Sequence, residues 1–106
     1  PGNSVVTDGF NLRTPLVVHA VAPRYIKKSE QEKELLRQTY QSVLSQPDLT
    51  DIESIALPAI GVGIYGWPID LAASIAISVL ANSPFKRTIV CLYDDENYGS
   101  YRKLLI

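Results

Sequence analysis

The stretch Ser54-Ile-Ala-Leu-Pro-Ala-Ile-Gly-Val-Gly-Ile-Tyr-Gly-Trp-Pro68 constrains the fold of this chain more than any other. An apolar run ends in a loop with three glycines in six positions. The loop then passes through Trp67 and Pro68 into a second, helix-like apolar run. Glycines leave backbone N–H groups uncovered by side chains, and such groups can wrap an anion. Pro68 suits the first turn of a helix, where its missing N–H has no partner to lose. Residues 71–81 are mostly apolar, which predicts a well-buried helix.

The rest of the chain repeats this strand-then-helix grammar. Residues 4–7 read as a short strand closed by the turn pair Asp8-Gly9. Residues 16–22 form a β-branched run that predicts a strand buried on both faces and ended by Pro23. Ser29 with Glu32 three residues on is a capping box. Behind it Leu35, Leu36, Thr39, Tyr40, Val43 and Leu44 recur at helical spacing until Pro47 and Asp48. Residues 54–60 and 88–93 are further strands, with a break at Asn82-Ser-Pro84 between helix and strand. Asp94 or Asp95 can cap a last helix through Leu105, with Tyr98, Tyr101, Leu104 and Leu105 facing inward. Alternating strands and helices imply a mostly parallel sheet with helices on its faces. In such sheets ligands bind beyond the carboxyl ends of the strands, where both the glycine loop and the Tyr93-Asp94 pair fall.

The 106 residues suffice for one small domain with one core. Ten Lys+Arg against eleven Asp+Glu give a net charge of −1, which argues against a grip on nucleic acid through bulk positive charge. The lone cysteine, Cys91, cannot form an internal disulfide, which fits a reducing cytoplasmic or nuclear setting rather than secretion. No apolar run is long enough to cross a bilayer, so no membrane partner is expected. The chain begins at Pro1 without Met, as expected of a fragment or a processed product.

Gly61-Val-Gly-Ile-Tyr-Gly66 matches the dinucleotide fingerprint G-x-G-x-x-G, and Asp94 ends the next strand where a ribose-binding acid would belong. Trp67-Pro68 disagrees with that reading, because it inserts a rigid step where the helix should start. The gap from Gly66 to Asp94 is also longer than the fingerprint expects. A Walker A loop is excluded, since no Gly-Lys-Ser/Thr follows. A tight turn without ligand is the plainer alternative. His19, within a β-branched run, reads as structural. Cys91, between Val90 and Leu92, reads as a small core residue. Lys27-Lys28 and Arg102-Lys103 read as solvated surface or helix-end charges.

Three segments in order resemble the macro domain family. They are Gly2-Asn-Ser-Val-Val-Thr-Asp-Gly-Phe-Asn-Leu12, Val18-His-Ala-Val-Ala-Pro23 and Leu57-Pro-Ala-Ile-Gly-Val-Gly-Ile-Tyr-Gly-Trp-Pro68. The second is similar to the family's His-x-Val-Gly-Pro signature, with Ala22 for the usual Gly. The third is similar to its second ligand loop, with Gly61 where Ser often stands. The resemblance implies a three-layer α/β/α fold with a mostly parallel mixed sheet, and ADP-ribose or an ADP-ribosylated protein as partner. It implies that backbone N–H groups of Gly61, Val62, Gly63, Ile64 and Tyr65 cradle the diphosphate, with Tyr65 against the distal ribose. Pro58 and Ala59 would wall the proximal ribose, and Tyr93 would lie beside adenine with Asp94 next to it. Gly61 keeps the backbone donor of the usual Ser but lacks its hydroxyl. No cofactor and no metal are implied. The resemblance is to a cellular or a viral replicase member of the family.

The resemblance covers only the C-terminal two-thirds of the family's domain, so residues 1–106 read as a partial macro domain lacking its N-terminal strands. The absent part carries the family's Asn-Ala-Ala-Asn strand end and first glycine-rich loop, where most catalytic groups of its hydrolases lie. Catalytic residues therefore stay unassigned, and these residues alone are expected to be inactive. Completed, the domain could hydrolyse mono-ADP-ribose from proteins. A non-catalytic interaction or RNA-binding module is the second reading, although charge does not indicate RNA. In the family the absent central strand lies between the strand of His19 and the strand of Ser54. Its backbone partners must come from another segment, another chain or swapping between copies, unless the two strands close on each other.

Overall fold

A computed structural model describes residues 2–8, 16–49, 51–60, 65–92 and 95–105. Helix α1 (Glu30–Leu44) starts as its sequence requires. The Ser29 hydroxyl accepts from the Glu32 N–H at 3.2 Å, and the Glu32 carboxylate accepts from the Ser29 N–H at 2.8 Å. The same carboxylate also accepts from the N–H groups of Ile26 and Lys27 at 2.9 and 3.0 Å. Led by the Ser29 N–H, these donors hold the Glu32 pKa down to about 2. The capping box thus also fixes the chain entering the helix. Leu36, Thr39, Tyr40, Val43 and Leu44 form the buried stripe, as the spacing predicts.

Strand β1 (Ser4–Asp8) pairs antiparallel with β2 (Leu16–Ala20). Strand β3 (Ser54–Pro58) pairs parallel with β4 (Arg87–Cys91). Among the described residues these are two separate two-stranded sheets, not the single mixed sheet expected. The reason is a gap: β2 and β3 do not close on each other, and a cleft of about 680 Å³ lies between them. Leu16, Val17, Val18 and Ala20 line this cleft and are half-buried rather than buried on both faces, while His19, which does not line it, is exposed. Helix α1 packs on β1 and β2.

Helix α2 (Ile69–Leu80) follows Pro68, which sits at its N-cap, one position before the first turn. Ala72, Ala73, Ile75, Ala76 and Val79 are buried, and α2 packs against both α1 and α3 (Asp95–Leu105). Three alanines on this face leave room for close helix contacts. The core joins Leu36, Tyr40 and Leu44 of α1, Leu57 of β3, Trp67, α2 and Tyr101 of α3.

Two expectations fail for geometric reasons. Tyr98 and Leu104 are exposed, and α3 turns Asn97, Ser100 and Tyr101 inward instead. The Ser100 hydroxyl donates to the Asp70 carboxylate of α2, and the Tyr101 ring enters the core, which sets the rotation of α3. Asp94 and the Leu105 side chain lie outside the described residues. Cys91 is exposed and not a core residue. Strand β4 alternates, so Arg87, Ile89 and Cys91 share the outward face while Thr88 and Val90 turn in. The apolar neighbours that suggested a core position point the opposite way.

Candidate ligand site

Gly61, Val62, Gly63, Ile64, Tyr93 and Asp94 lie outside the described residues, whereas Pro58, Ala59 and Tyr65 are described. The structure shows what holds the two ends of the glycine-rich segment. Strand β3 delivers Pro58 to its carboxyl end, with Ala59 half-buried beyond it. Two residues on, the Ile60 N–H donates to the Tyr40 hydroxyl at 2.9 Å. Tyr40 is 1% exposed. Burial above all pushes its phenol pKa up, so the hydroxyl stays neutral. It shares a second hydrogen bond with the Tyr101 hydroxyl, whose pKa burial also raises. The start of the ligand segment is thereby tied through α1 to α3.

The far end is held by the residues that follow β2. The Tyr25 N–H donates to the Tyr65 carbonyl at 2.9 Å. The Trp67 indole N–H donates to the Pro23 carbonyl at 2.8 Å, and Trp67 is 3% exposed. The Tyr25 ring stacks on Trp67, with centroids 4.4 Å apart and planes inclined by 23°. Gly66 has φ +82°, a left-handed conformation that lets the chain turn between Tyr65 and Trp67. The Arg24 guanidinium lies 6.0 Å from the Tyr65 ring centroid, at the reach of a cation–π contact. Residues 23–25 are therefore a clamp on the far end of the glycine-rich segment, and Trp67-Pro68 is its anchor to the helix.

Sequence reasoning did not single out Tyr25, Arg24 or Tyr40 as part of this frame. A buried indole needs an acceptor, so Trp67 signalled that some partner existed. Nothing in the order of residues said that it would be the carbonyl 44 positions earlier. His19 stays apart from the frame: its Nε2 shares a 2.8 Å hydrogen bond with the Thr7 hydroxyl on β1. Among the described residues no group of three or more His, Cys, Asp or Glu is placed to hold a metal ion. No described helix is long and apolar enough to cross a membrane.

What this arrangement can do follows from its parts. A segment whose two ends are fixed by main-chain and aromatic anchors has less freedom to lose on binding a ligand than one with free ends. A cation at Arg24 and an aromatic face at Tyr65 stand beside it.

Comparison with known proteins agrees with this geometry. Residues 1–76 match the Macro domain family. The chain is 36% identical over 109 residues to O-acetyl-ADP-ribose deacetylase 1 of Pantoea vagans, covering 98% of this chain and 64% of that protein. It is 38% identical over 110 residues to a macro domain-containing protein of Cupriavidus necator, covering 98% of this chain and 63% of that one. The Oceanobacillus iheyensis macrodomain with ADP superposes with a TM-score of 0.88 at 29% identity, covering 98% of this chain and 57% of that one. A variant of the same macrodomain with ADPR superposes at 0.87 and 30% identity, with 58% of that chain covered. The chain thus spans a little under two-thirds of the length of the curated relatives it matches.

Proposed function

This chain belongs to the macro domain family, and from that premise we propose that residues 58–65 together with Tyr93 and Asp94 bind ADP-ribose and related diphosphates. The backbone N–H groups of Gly61, Val62, Gly63, Ile64 and Tyr65 take the diphosphate. Tyr65 packs on the distal ribose, Pro58 and Ala59 wall the proximal ribose, and Tyr93 with Asp94 meets adenine. The observation that carries this reading is the double anchoring of the segment. Ile60 is fixed to Tyr40 before it, and Tyr65 and Trp67 are fixed to Tyr25 and Pro23 after it. Such a frame fixes both ends of the segment before a ligand arrives.

We further propose that residues 1–106 are the larger part of one three-layer macro domain. Completed by the polypeptide that forms the remainder in its relatives, it would hydrolyse a bond at the distal ribose. Relatives named O-acetyl-ADP-ribose deacetylase support an acetyl ester as substrate; mono-ADP-ribose on a protein side chain is the other candidate. In either case the water oxygen bonds to the electrophilic carbon, the bond to the leaving group breaks, and a proton passes to that group. The part played by this chain is orientation of the ribose and stabilisation of diphosphate charge. No step is assigned to His19 or Cys91.

Calorimetry tests the binding claim. ADP-ribose should give heat that Gly63→Val abolishes, because a side chain there blocks approach of the diphosphate to the backbone. Absence of ADP-ribose binding together with salt-sensitive binding of oligo-A would support an RNA-binding module instead. Preference for an intact nicotinamide dinucleotide would support the fingerprint reading.

A further inference from the structure

The residues after β2 carry a group of cations that the ligand frame does not use up. Arg24, Lys27 and Lys28 stand within five positions, and all three are exposed. Among the described residues none of the three has an ion-pair partner, whereas Lys33, Arg37, Lys86 and Lys103 each have one. The acids that follow in the chain are already engaged. Glu30 pairs with Lys33 and Glu34 with Arg37, both at 2.9 Å. The Glu32 carboxylate accepts from the N–H groups of Ile26, Lys27 and Ser29. A chain of net charge −1 therefore holds a locally basic strip at residues 24–28. Like charges this close repel one another until an anion joins them.

The strip is fixed at both ends. Before it, the Pro23 carbonyl and the Tyr25 N–H are bonded to Trp67 and Tyr65. After it, Glu32 holds the main chain of Ile26 and Lys27. Lys28 has φ +54°, a left-handed conformation in which glycine would be less strained than lysine. Arg24 sets the place of the strip relative to the ligand segment, because its guanidinium lies 6.0 Å from the Tyr65 ring centroid. Lys27 and Lys28 follow within four residues, so their Cα atoms lie within about 14 Å of the Arg24 Cα. In the reading above, Tyr65 packs on the distal ribose, the sugar that joins ADP-ribose to a modified protein. A polypeptide carrying that ADP-ribose leaves the site past Tyr65, alongside residues 24–28.

We propose that residues 24–28 are a docking rim for an acidic stretch of the polypeptide that bears the ADP-ribose, so that an acidic ADP-ribosylated protein binds better than free ADP-ribose or a small ADP-ribose ester. The proposal rests on the ADP-ribose reading of residues 58–65. Charge complementarity carries it. Arg24 offers a planar fork that fits a carboxylate, and the two lysines accept carboxylates from several directions. Ile26, 70% exposed, adds apolar contact between the cations. An acetyl ester of ADP-ribose ends in a neutral group and gives this rim nothing to hold. Nucleic acid fits less well, because three cations neutralise few phosphates and the net charge of the chain is −1.

Calorimetry at low salt tests it with three probes: free ADP-ribose and two short peptides, each bearing one ADP-ribosylated serine. Glutamates flank the serine in one peptide and glutamines in the other. The glutamate peptide should bind about tenfold more tightly than the other two probes, within what three modest exposed contacts can give. Lys27→Gln combined with Lys28→Gln should remove most of that preference. Its affinity for free ADP-ribose should stay unchanged, which also reports that the variant is folded. Lys27→Arg combined with Lys28→Arg should keep the preference, and salt at about 0.5 M should erase it. The proposal is overturned if the two peptides bind equally while free ADP-ribose binds, or if the glutamine variant keeps the full preference. Oligo-A binding more tightly than the glutamate peptide, and lost in the glutamine variant, would overturn it by giving the rim to nucleic acid. No binding of any ADP-ribose probe would overturn the ADP-ribose reading, and this proposal with it.

Discussion

The frame of the glycine-rich segment and the middle of the sheet lie side by side, yet they are finished to different degrees. Around residues 61–64 the flanking groups are paired within the chain: Ile60 with Tyr40, Tyr65 with Tyr25, and the Trp67 indole with Pro23. A few residues away, the Arg87 N–H of β4 donates to the Glu53 carbonyl, so by strand alternation Ser54 and Ala56 turn their main-chain groups to the other edge, into the open cleft. The ligand frame draws on α1, α3 and the tail of β2, all of which are present. Among the described residues, no strand pairs with the cleft-facing edge of β2 or of β3. Binding geometry and sheet completion are thus separable properties, and substitutions should affect them separately.

The largest effect should come from Trp67→Ala, which empties a core site and breaks the anchor to Pro23. A loss of about 3–5 kcal/mol is expected in denaturant unfolding, with ADP-ribose binding lost along with it. Tyr40→Phe is the sharper probe of the frame. It keeps the ring but leaves the Ile60 N–H without its acceptor, at about 1–3 kcal/mol. Weaker ADP-ribose affinity with unchanged amide exchange at Ser54 and Ala56 would uphold the separation of the two regions. A change in both would break it. Ser29→Ala should cost about 1 kcal/mol through the lost cap on α1 and spare the ligand site.

Acid offers a further probe. Glu32 titrates at about 2 in the folded chain, below the ordinary carboxylate value of the unfolded chain. Between those values the unfolded state binds more protons, so folding loses stability as pH falls. The contribution is fully present above about pH 4.3 and is gone below about pH 2. Glu32→Gln should flatten this limb of the stability–pH curve. The smallest effect belongs to Lys86 and Glu53, an exposed pair at 3.4 Å. Lys86→Ala should change unfolding free energy by less than about 1 kcal/mol.

Much of the frame was legible in the sequence because local chemistry controls it. The capping box at Ser29 and Glu32, the stripe from Leu36 to Leu44 and the helix after Pro68 each follow from short-range spacing. The family resemblance implied a gap beside the strand of Ser54, and the structure has a cleft there. What spacing could not supply was direction. Cys91 sits among apolar neighbours, yet strand alternation turns it outward. Tyr98 and Leu104 share α3 with Tyr101, but contacts with Asp70 and the core choose a different face. The roles of Tyr25 and Tyr40 depend on pairs 40 and 20 positions apart along the chain, Tyr25 with Tyr65 and Tyr40 with Ile60. No local pattern announces such pairs.

Amide hydrogen exchange on the 106-residue chain alone, resolved by residue, tests the central contrast most directly. The account predicts slow exchange at Tyr25 and Ile60, whose N–H groups are paired within the ligand frame, and fast exchange at Ser54 and Ala56, whose N–H groups face the cleft. Fast exchange at Tyr25 and Ile60 with protection at Ser54 and Ala56 would contradict it.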